Sequence, residues 1–188
     1  MGSDNRIGSR FLRAGPAYGG SCFPKDTKGL VAAADKYKVS LSLVKSVIKS
    51  NQKRKSLVVE RIKKILSNKI KNKKIVILGV TFKPNTDDMR ESSSLIILPY
   101  LSKNGAKITY FDPTGPKKVF SKLKNVLFES NINLACKNSD MIIIHTEWDE
   151  FKTIDFKNFN IKKNTKIYDM RNLYSPQRMK KLGYLYYS

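Results

Sequence analysis

The chain has 188 residues, of which 40% are hydrophobic, and a formal charge of +22, the size and polarity of one ordinary globular domain or of one domain with part of another. No apolar run nears the roughly 20 residues that cross a bilayer, which argues against a membrane-spanning helix. Two cysteines, Cys22 and Cys136, and a single histidine, His145, are too few for a disulfide framework or a Cys/His metal centre, so no metal is expected.

The opening run Met1-Gly2-Ser3-Asp4-Asn5-Arg6 lacks the apolar core of a signal peptide, and the expected compartment is the reducing cytoplasm. Residues 1 to about 26 read as irregular and glycine-rich. Within them Gly15 to Leu30 runs GPAYGGSCFPKDTKGL, a glycine-rich turn that delivers Cys22, with Lys25 and Asp26 within one helical turn after it. A thiol attacks as the thiolate, a form favoured by nearby cations and by the positive end of a following helix, so the pattern is one for presenting a nucleophile. The plain alternatives are a buried structural cysteine at position 22 and a helix N-cap at Asp26.

A helix is expected from about Thr27 to Lys38, then a helix or helix pair from about Leu41 to Asn68. The second is strongly basic: between Lys45 and Lys74 stand 12 Lys or Arg against one acid, Glu60. Such a run could neutralise nucleic-acid phosphates. Its apolar residues, Val44, Val47, Ile48, Val58, Ile62, Ile65 and Leu66, nevertheless fall at helical spacing, which makes the lysines the solvated face of an amphipathic helix. No recognition motif and no stacking aromatics accompany the run, so nucleic acid is a disfavoured partner.

From Lys74 the pattern changes. Apolar strands expected at Ile75 to Val80, Lys107 to Phe111, Asp140 to His145 and Lys166 to Asp169 alternate with helical patterns at Ser92 to Lys103, Asn131 to Lys137 and Pro176 to Leu182. Pro99 is expected to kink the first of these helices. Wholly apolar strands such as IVILGV and MIIIHT argue for a parallel sheet covered on both faces, an α/β class. The first strand runs into Gly79-Val80-Thr81-Phe82-Lys83-Pro84, one glycine where a dinucleotide fingerprint needs three, so the pyrophosphate cradle is missing. Lys83, Asp87, Asp88 and Arg90 cluster in that loop, as ligand contacts or as plain loop solvation. Cys136 and Trp148 read as core, and His145 as a satisfied structural residue.

Three segments carry a resemblance: DNRIGSRFLRAGPAYGGSCFPKDTKGL, LGVTFKPNTDDMRESSS from Leu78 to Ser94, and TEWDEF from Thr146 to Phe151. In order and spacing they resemble successive signatures of the UDP-glucose/GDP-mannose dehydrogenase family, and Phe23-Pro24-Lys25-Asp26 after the cysteine is most similar to its UDP-glucose-oxidising branch. The likeness covers essentially the whole chain and matches the C-terminal half of the family. The family's N-terminal Rossmann domain, with the glycine fingerprint and the first half of the central domain, would precede residue 1. The fold so implied is the helical part of a central dimerisation domain, residues 1–72, followed by a UDP-sugar-binding, Rossmann-like parallel-sheet domain, residues 73–188.

The resemblance also implies chemistry. The family oxidises the sugar C6 alcohol to a carboxylate with two NAD, holding the aldehyde stage on a cysteine as thiohemiacetal and thioester. Cys22 matches the nucleophile and Asp26 the carboxylate that activates water or shuttles a proton. Phe11, Leu12, Arg13, Ala14 and Gly15 match a segment lining the nucleotide-sugar pocket, and Gly19 a position where a side chain would fill the substrate's space. Arg6 matches an arginine that reaches a neighbouring subunit's sugar site, Lys83 a UDP-sugar contact, and Lys25 and Arg90 contacts to NAD. Ala17 and Met170 stand where the family commonly has glycine, and a nucleotide role for Arg171 is correspondingly weaker. The expected partners are UDP-glucose or a related nucleotide sugar, a second copy in a homodimer, and a separate N-terminal NAD-binding chain without which this chain is inactive. The competing readings are a non-catalytic remnant that binds nucleotide sugar or dimerises, and a basic nucleic-acid-binding domain.

Overall fold

The structure, a computed structural model, describes residues 1–188 apart from the side chains of Arg10 and Phe11. Strands β1 (Lys74–Leu78), β2 (Lys107–Phe111), β3 (Val126–Phe128), β4 (Met141–Ile144), β5 (Lys166–Asp169) and β6 (Leu185–Tyr187) form one sheet in the order β3-β2-β1-β4-β5-β6. Every neighbouring pair is parallel; β1 lies between β2 and β4, with Ile77 opposite Tyr110 on one side and Ile143 on the other. The expected parallel sheet is therefore present, with two short strands, β3 and β6, that the sequence pattern did not reveal. Three residues are too few to show a period of two, and β3 leaves Leu127 70% exposed at the sheet edge.

The pleat sends successive side chains of β1 to opposite faces. Ile75 and Ile77 join a core with Val58, Val59 and Ile62 of α2 (Ser42–Ile65) and with Ile97, Leu98 and Leu101 of α3 (Ser94–Lys103). Val76 and Leu78 join the other core, with Ala135 and Cys136 of α4 (Ile132–Cys136), Met179 of α5 (Pro176–Lys181), Trp148 and Phe151. Cys136, His145 and Trp148 are buried, as expected of structural residues. Helix α3 continues through Pro99 to Lys103.

The basic segment is a single helix of 24 residues rather than a pair. Its C-terminal half lies on the sheet through Val58, Val59, Ile62 and Ile65, while Lys45, Lys49, Lys53 and Lys64 face solvent, the amphipathic arrangement read from their spacing. The first helix differs from expectation. Helix α1 spans Cys22–Lys36, so it starts five residues before Thr27, and Asp26 lies inside it rather than capping it. Pro24 is compatible with the earlier start: proline suits the first turn of a helix, where its missing N–H goes unused. No helix among the described residues is long and apolar enough to cross a membrane.

Candidate functional site

In an open, doubly wound sheet the strand order reverses between the first and fourth strands, and ligands gather outside the carboxyl ends there. The glycine-rich segment before α1 lies on this spot. Arg171, after β5, donates from Nε to the His145 carbonyl (2.7 Å) and from Nη2 to the Phe82 carbonyl (3.2 Å), and its Nη1 pairs with Glu147 at 2.8 Å. It thus joins the ends of β1, β4 and β5. A side chain at Gly15 would meet that guanidinium at 2.7 Å, so any larger residue there would push Arg171 off its partners. His145 beneath donates or accepts at Ser93 (2.7 Å) and Thr146 (3.0 Å), and burial, followed by the Arg171 charge, pushes its pKa down to about 3.

The segment is then pinned from both sides. Asn51 of α2 accepts from the Tyr18 N–H at 3.0 Å and donates to the Tyr18 carbonyl at 3.1 Å. Gly20, with φ at +88°, donates its N–H to the Arg90 carbonyl at 2.8 Å, and a side chain there would strike the Phe82 ring at 2.7 Å. A side chain at Gly19 would meet the Glu91 carbonyl at 2.8 Å and Phe82 Cβ at 3.0 Å. Packing against the β1–α3 loop is therefore enough to require glycine at 19, whatever room a substrate needs.

Cys22 follows as the first residue of α1 and is exposed, which removes the reading of a plain buried cysteine. The N-cap, Ser21, makes no side-chain capping bond and no acid stands in the first turn, so the helix's leading N–H groups have no side-chain acceptor of their own. Such a terminus favours negative charge nearby. Cys22 lines an open cleft of about 830 Å³ with Lys25, Lys28, Lys55, Arg90 and Glu91. Arg90 grips Asp88 with Nε and Nη2 at 3.0 and 2.9 Å, which holds the Asp88 carboxyl below the usual range and raises the arginine.

Three residues of the expected set thus meet in one cleft: Cys22, Lys25 and Arg90. Asp26 lies one turn beyond Cys22 on the same face of α1, exposed and 3.5 Å from Lys25, outside the cleft lining. Lys83 is exposed in the β1–α3 loop with its ammonium 5.5 Å from the Phe82 ring centre. Leu12, Arg13 and Ala14 are exposed, and Arg6 pairs with Asp4 at 2.7 Å; none of these lines the cleft. The side chain of Phe11 lies outside the described residues.

Sequence reasoning missed the residues that hold the cleft together: Asn51, Lys55, Glu91 and the bridging part of Arg171. Lys55 was hidden among lysines, and its only local signal is position. It stands three residues before Val58, on the apolar stripe rather than the solvated face.

Residues 76–176 match the family described as "UDP-glucose/GDP-mannose dehydrogenase family, UDP binding domain", and residues 1–53 match the central domain of the same family. The UDP-glucose 6-dehydrogenase of Rickettsia prowazekii is 41% identical over 191 residues, an alignment that takes in 100% of this chain and 44% of that protein. The UDP-glucose 6-dehydrogenase of Bacillus subtilis is 39% identical over 194 residues, covering 100% and 43%. Among solved structures, a UDP-glucose dehydrogenase from Pyrobaculum islandicum superposes with a TM-score of 0.79 at 26% identity, covering 100% of this chain and 41% of that one. The GDP-mannose dehydrogenase of Pseudomonas aeruginosa gives 0.73 at 25%, covering 90% and 40%. The chain therefore spans less than half the length of the relatives it matches.

Proposed function

This chain belongs to the UDP-glucose/GDP-mannose dehydrogenase family, and on that premise we propose that it is the C-terminal portion of a UDP-glucose 6-dehydrogenase whose covalent chemistry runs on Cys22. Residues 1–72 are read as the closing part of the central domain and 73–188 as the UDP-sugar-binding domain. The observation that carries the proposal is the exposed thiol at the start of α1, in a cleft shared with Lys25 and Arg90 and seated on the β1–α3 loop.

The overall change is oxidation of a primary alcohol, with uptake of one water, to a carboxylate. Two NAD, bound in turn, would supply the hydride acceptors, one for the alcohol carbon and one for the thiohemiacetal carbon. Cys22 Sγ bonds to the aldehyde carbon, and the carbonyl oxygen takes up a proton to give the thiohemiacetal. After its oxidation to a thioester, water attacks the acyl carbon, the C–S bond breaks and the sulfur leaves as thiolate. Asp26, on the same face of α1 one turn on, is assigned the proton that this water gives up. It must first leave Lys25, a contact between two exposed groups that costs little to open.

The residues present fit only part of NAD. At the end of β1 the side-chain space of Gly79 is filled by Thr146 Cβ at 2.5 Å, and no further glycine of a fingerprint follows, so this strand end does not cradle a pyrophosphate. Lys25 and Arg90 fit an anionic part of the cofactor at the cleft, and Arg90 keeps one nitrogen free of Asp88 for it. Lys83, with Arg13, Ala14, Gly15, Gly19 and the neighbouring Phe11 and Leu12, is assigned to the UDP-sugar, and Arg6 to the sugar site of a second subunit. Leu43 and Val47, one turn apart on α2, are 77 and 41% exposed, and Leu30 and Val39 54 and 55%, exposed apolar side chains of the kind a homodimer would cover.

The test is NADH formation from UDP-glucose and NAD, with this chain alone and then with an N-terminal half of the family. Activity in the mixture only, abolished by Cys22→Ser, is the expected result. Silence in both, with folding and sugar binding intact, would leave a binding remnant instead.

A further inference from the structure

Glu91 sits where the two parts of the molecule meet at the cleft. It follows Arg90 in the β1–α3 loop with a left-handed backbone, φ +55°, a conformation disfavoured for any residue with a side chain. Its Oε1 accepts from Lys28 Nζ of α1 and its Oε2 from Lys55 Nζ of α2, both at 2.8 Å. The Lys55 side chain is 3% exposed, and among the described residues Glu91 is its one ionic partner. A lysine is seldom so buried unless paired, and here the pair stands in the wall of the cleft that holds Cys22.

The main chain of the same two residues seats the thiol loop. The Arg90 carbonyl accepts the Gly20 N–H, and the Glu91 carbonyl abuts Gly19. Helix α1 then carries Cys22 at one end of this arrangement and Lys28 within two turns. Side chain and backbone of one loop therefore fasten α1, α2 and the glycine segment together.

We propose that Glu91 is a positioning residue: its two-lysine clamp holds the β1–α3 loop against α1 and α2, and so fixes Arg90 and the Gly19–Gly20 seat around Cys22. The inference rests on the reading of Cys22 as the nucleophile. Plain electrostatics predicts something different from positioning. Removing the Glu91 charge and removing the Lys55 charge alter the field at Cys22 in opposite senses, whereas either change opens the same clamp.

The second-order rate of Cys22 alkylation by neutral iodoacetamide separates these. It is measured on the whole chain by peptide-level mass spectrometry, which reads Cys22 apart from the buried Cys136. Glu91→Gln and Lys55→Met are expected to move the rate in the same direction, each at least threefold, the double variant no further than the larger single, and Lys55→Arg less than twofold. Shifts of opposite sign would overturn the proposal, as would unchanged rates in variants that keep the parent's circular dichroism. If either of those variants does not fold, Lys28→Met and Glu91→Asp take their place. The first removes the outer arm, and the second keeps the charge but is too short for both lysines. A shared shift supports the clamp, and an unchanged rate with Glu91→Asp overturns it. No nucleotide enters the measurement, so a failure to bind or turn over UDP-glucose, which counts against the catalytic reading, leaves the clamp result standing by itself.

Discussion

The stability contribution of Glu91 depends on pH in a direction the structure dictates. Hydrogen bonds from Lys28 and then Lys55 lower its carboxyl from the ordinary 4.5 to about 2, against burial, which acts the other way. A pKa lowered on folding stabilises the native state fully above the unfolded value, and the gain is lost as pH falls from about 4.5 towards 2. A displacement of about 2.5 pH units corresponds to a ceiling of about 3.4 kcal/mol, and solvent screening of a side chain 33% exposed cuts this to about 2 kcal/mol. Glu91→Gln forfeits it and also leaves Lys55 buried without a counter-charge, and breaking such a pair costs about 3–5 kcal/mol in all. The expected loss is therefore about 3 kcal/mol at pH 7, narrowing by about half near pH 3, where the carboxyl of the unfolded parent is already protonated while the folded one is still mostly ionised. Urea unfolding followed by the fluorescence of Trp148, the only tryptophan and a buried one, reads both values. A loss below about 1 kcal/mol at pH 7, or the same loss at both pH values, would refute the reasoning.

Gly20→Val adds a side chain at φ +88° against the Phe82 ring and should destabilise by about 2–4 kcal/mol in the same assay; a change within about 0.5 kcal/mol would show the seat to be loose. Asn51→Ala removes both bonds to Tyr18. It should cost about 1–3 kcal/mol and speed proteolysis before Cys22, and a cleavage pattern like the parent's would contradict the anchoring role. His145, the only histidine and held near 3, should stay neutral from pH 8 to pH 4 in an NMR titration of its ring. Because its folded pKa lies below the unfolded one, the stability it confers is full above about pH 6.5 and declines as pH falls towards 3. Midpoint titration of the ring between pH 6 and 7 would show that it is not buried as described. Iodoacetamide should label Cys22 in the folded chain and Cys136 only on unfolding, since burial pushes the Cys136 thiol up to about 12.

The sequence by itself determined the class of fold and the location of the reactive loop. Runs such as KIVIL and MIII have no polar side to offer water, so they had to be inner strands of a sheet covered on both faces. The spacing of Val58, Ile62 and Ile65 set the solvated face of α2 in the same way, because a helix returns to one side every three to four residues. Cys22, Lys25 and Arg90 were legible as a set only through motifs, and motifs record residue types at fixed spacing. What lay beyond that reach was every pairing between distant segments. Glu91 stands 63 residues from Lys28 and 36 from Lys55, Tyr18 stands 33 from Asn51, and Arg171 stands 89 from Phe82. None of these partners is marked out by its residue type alone, least of all the lysines, in a chain with 37 Lys and Arg. Only closure of the sheet, which brings the ends of β1, β4 and β5 beneath the glycine segment, made Lys55 a buried cation in need of a carboxylate and Gly19 and Gly20 the residues without which the thiol loop cannot sit.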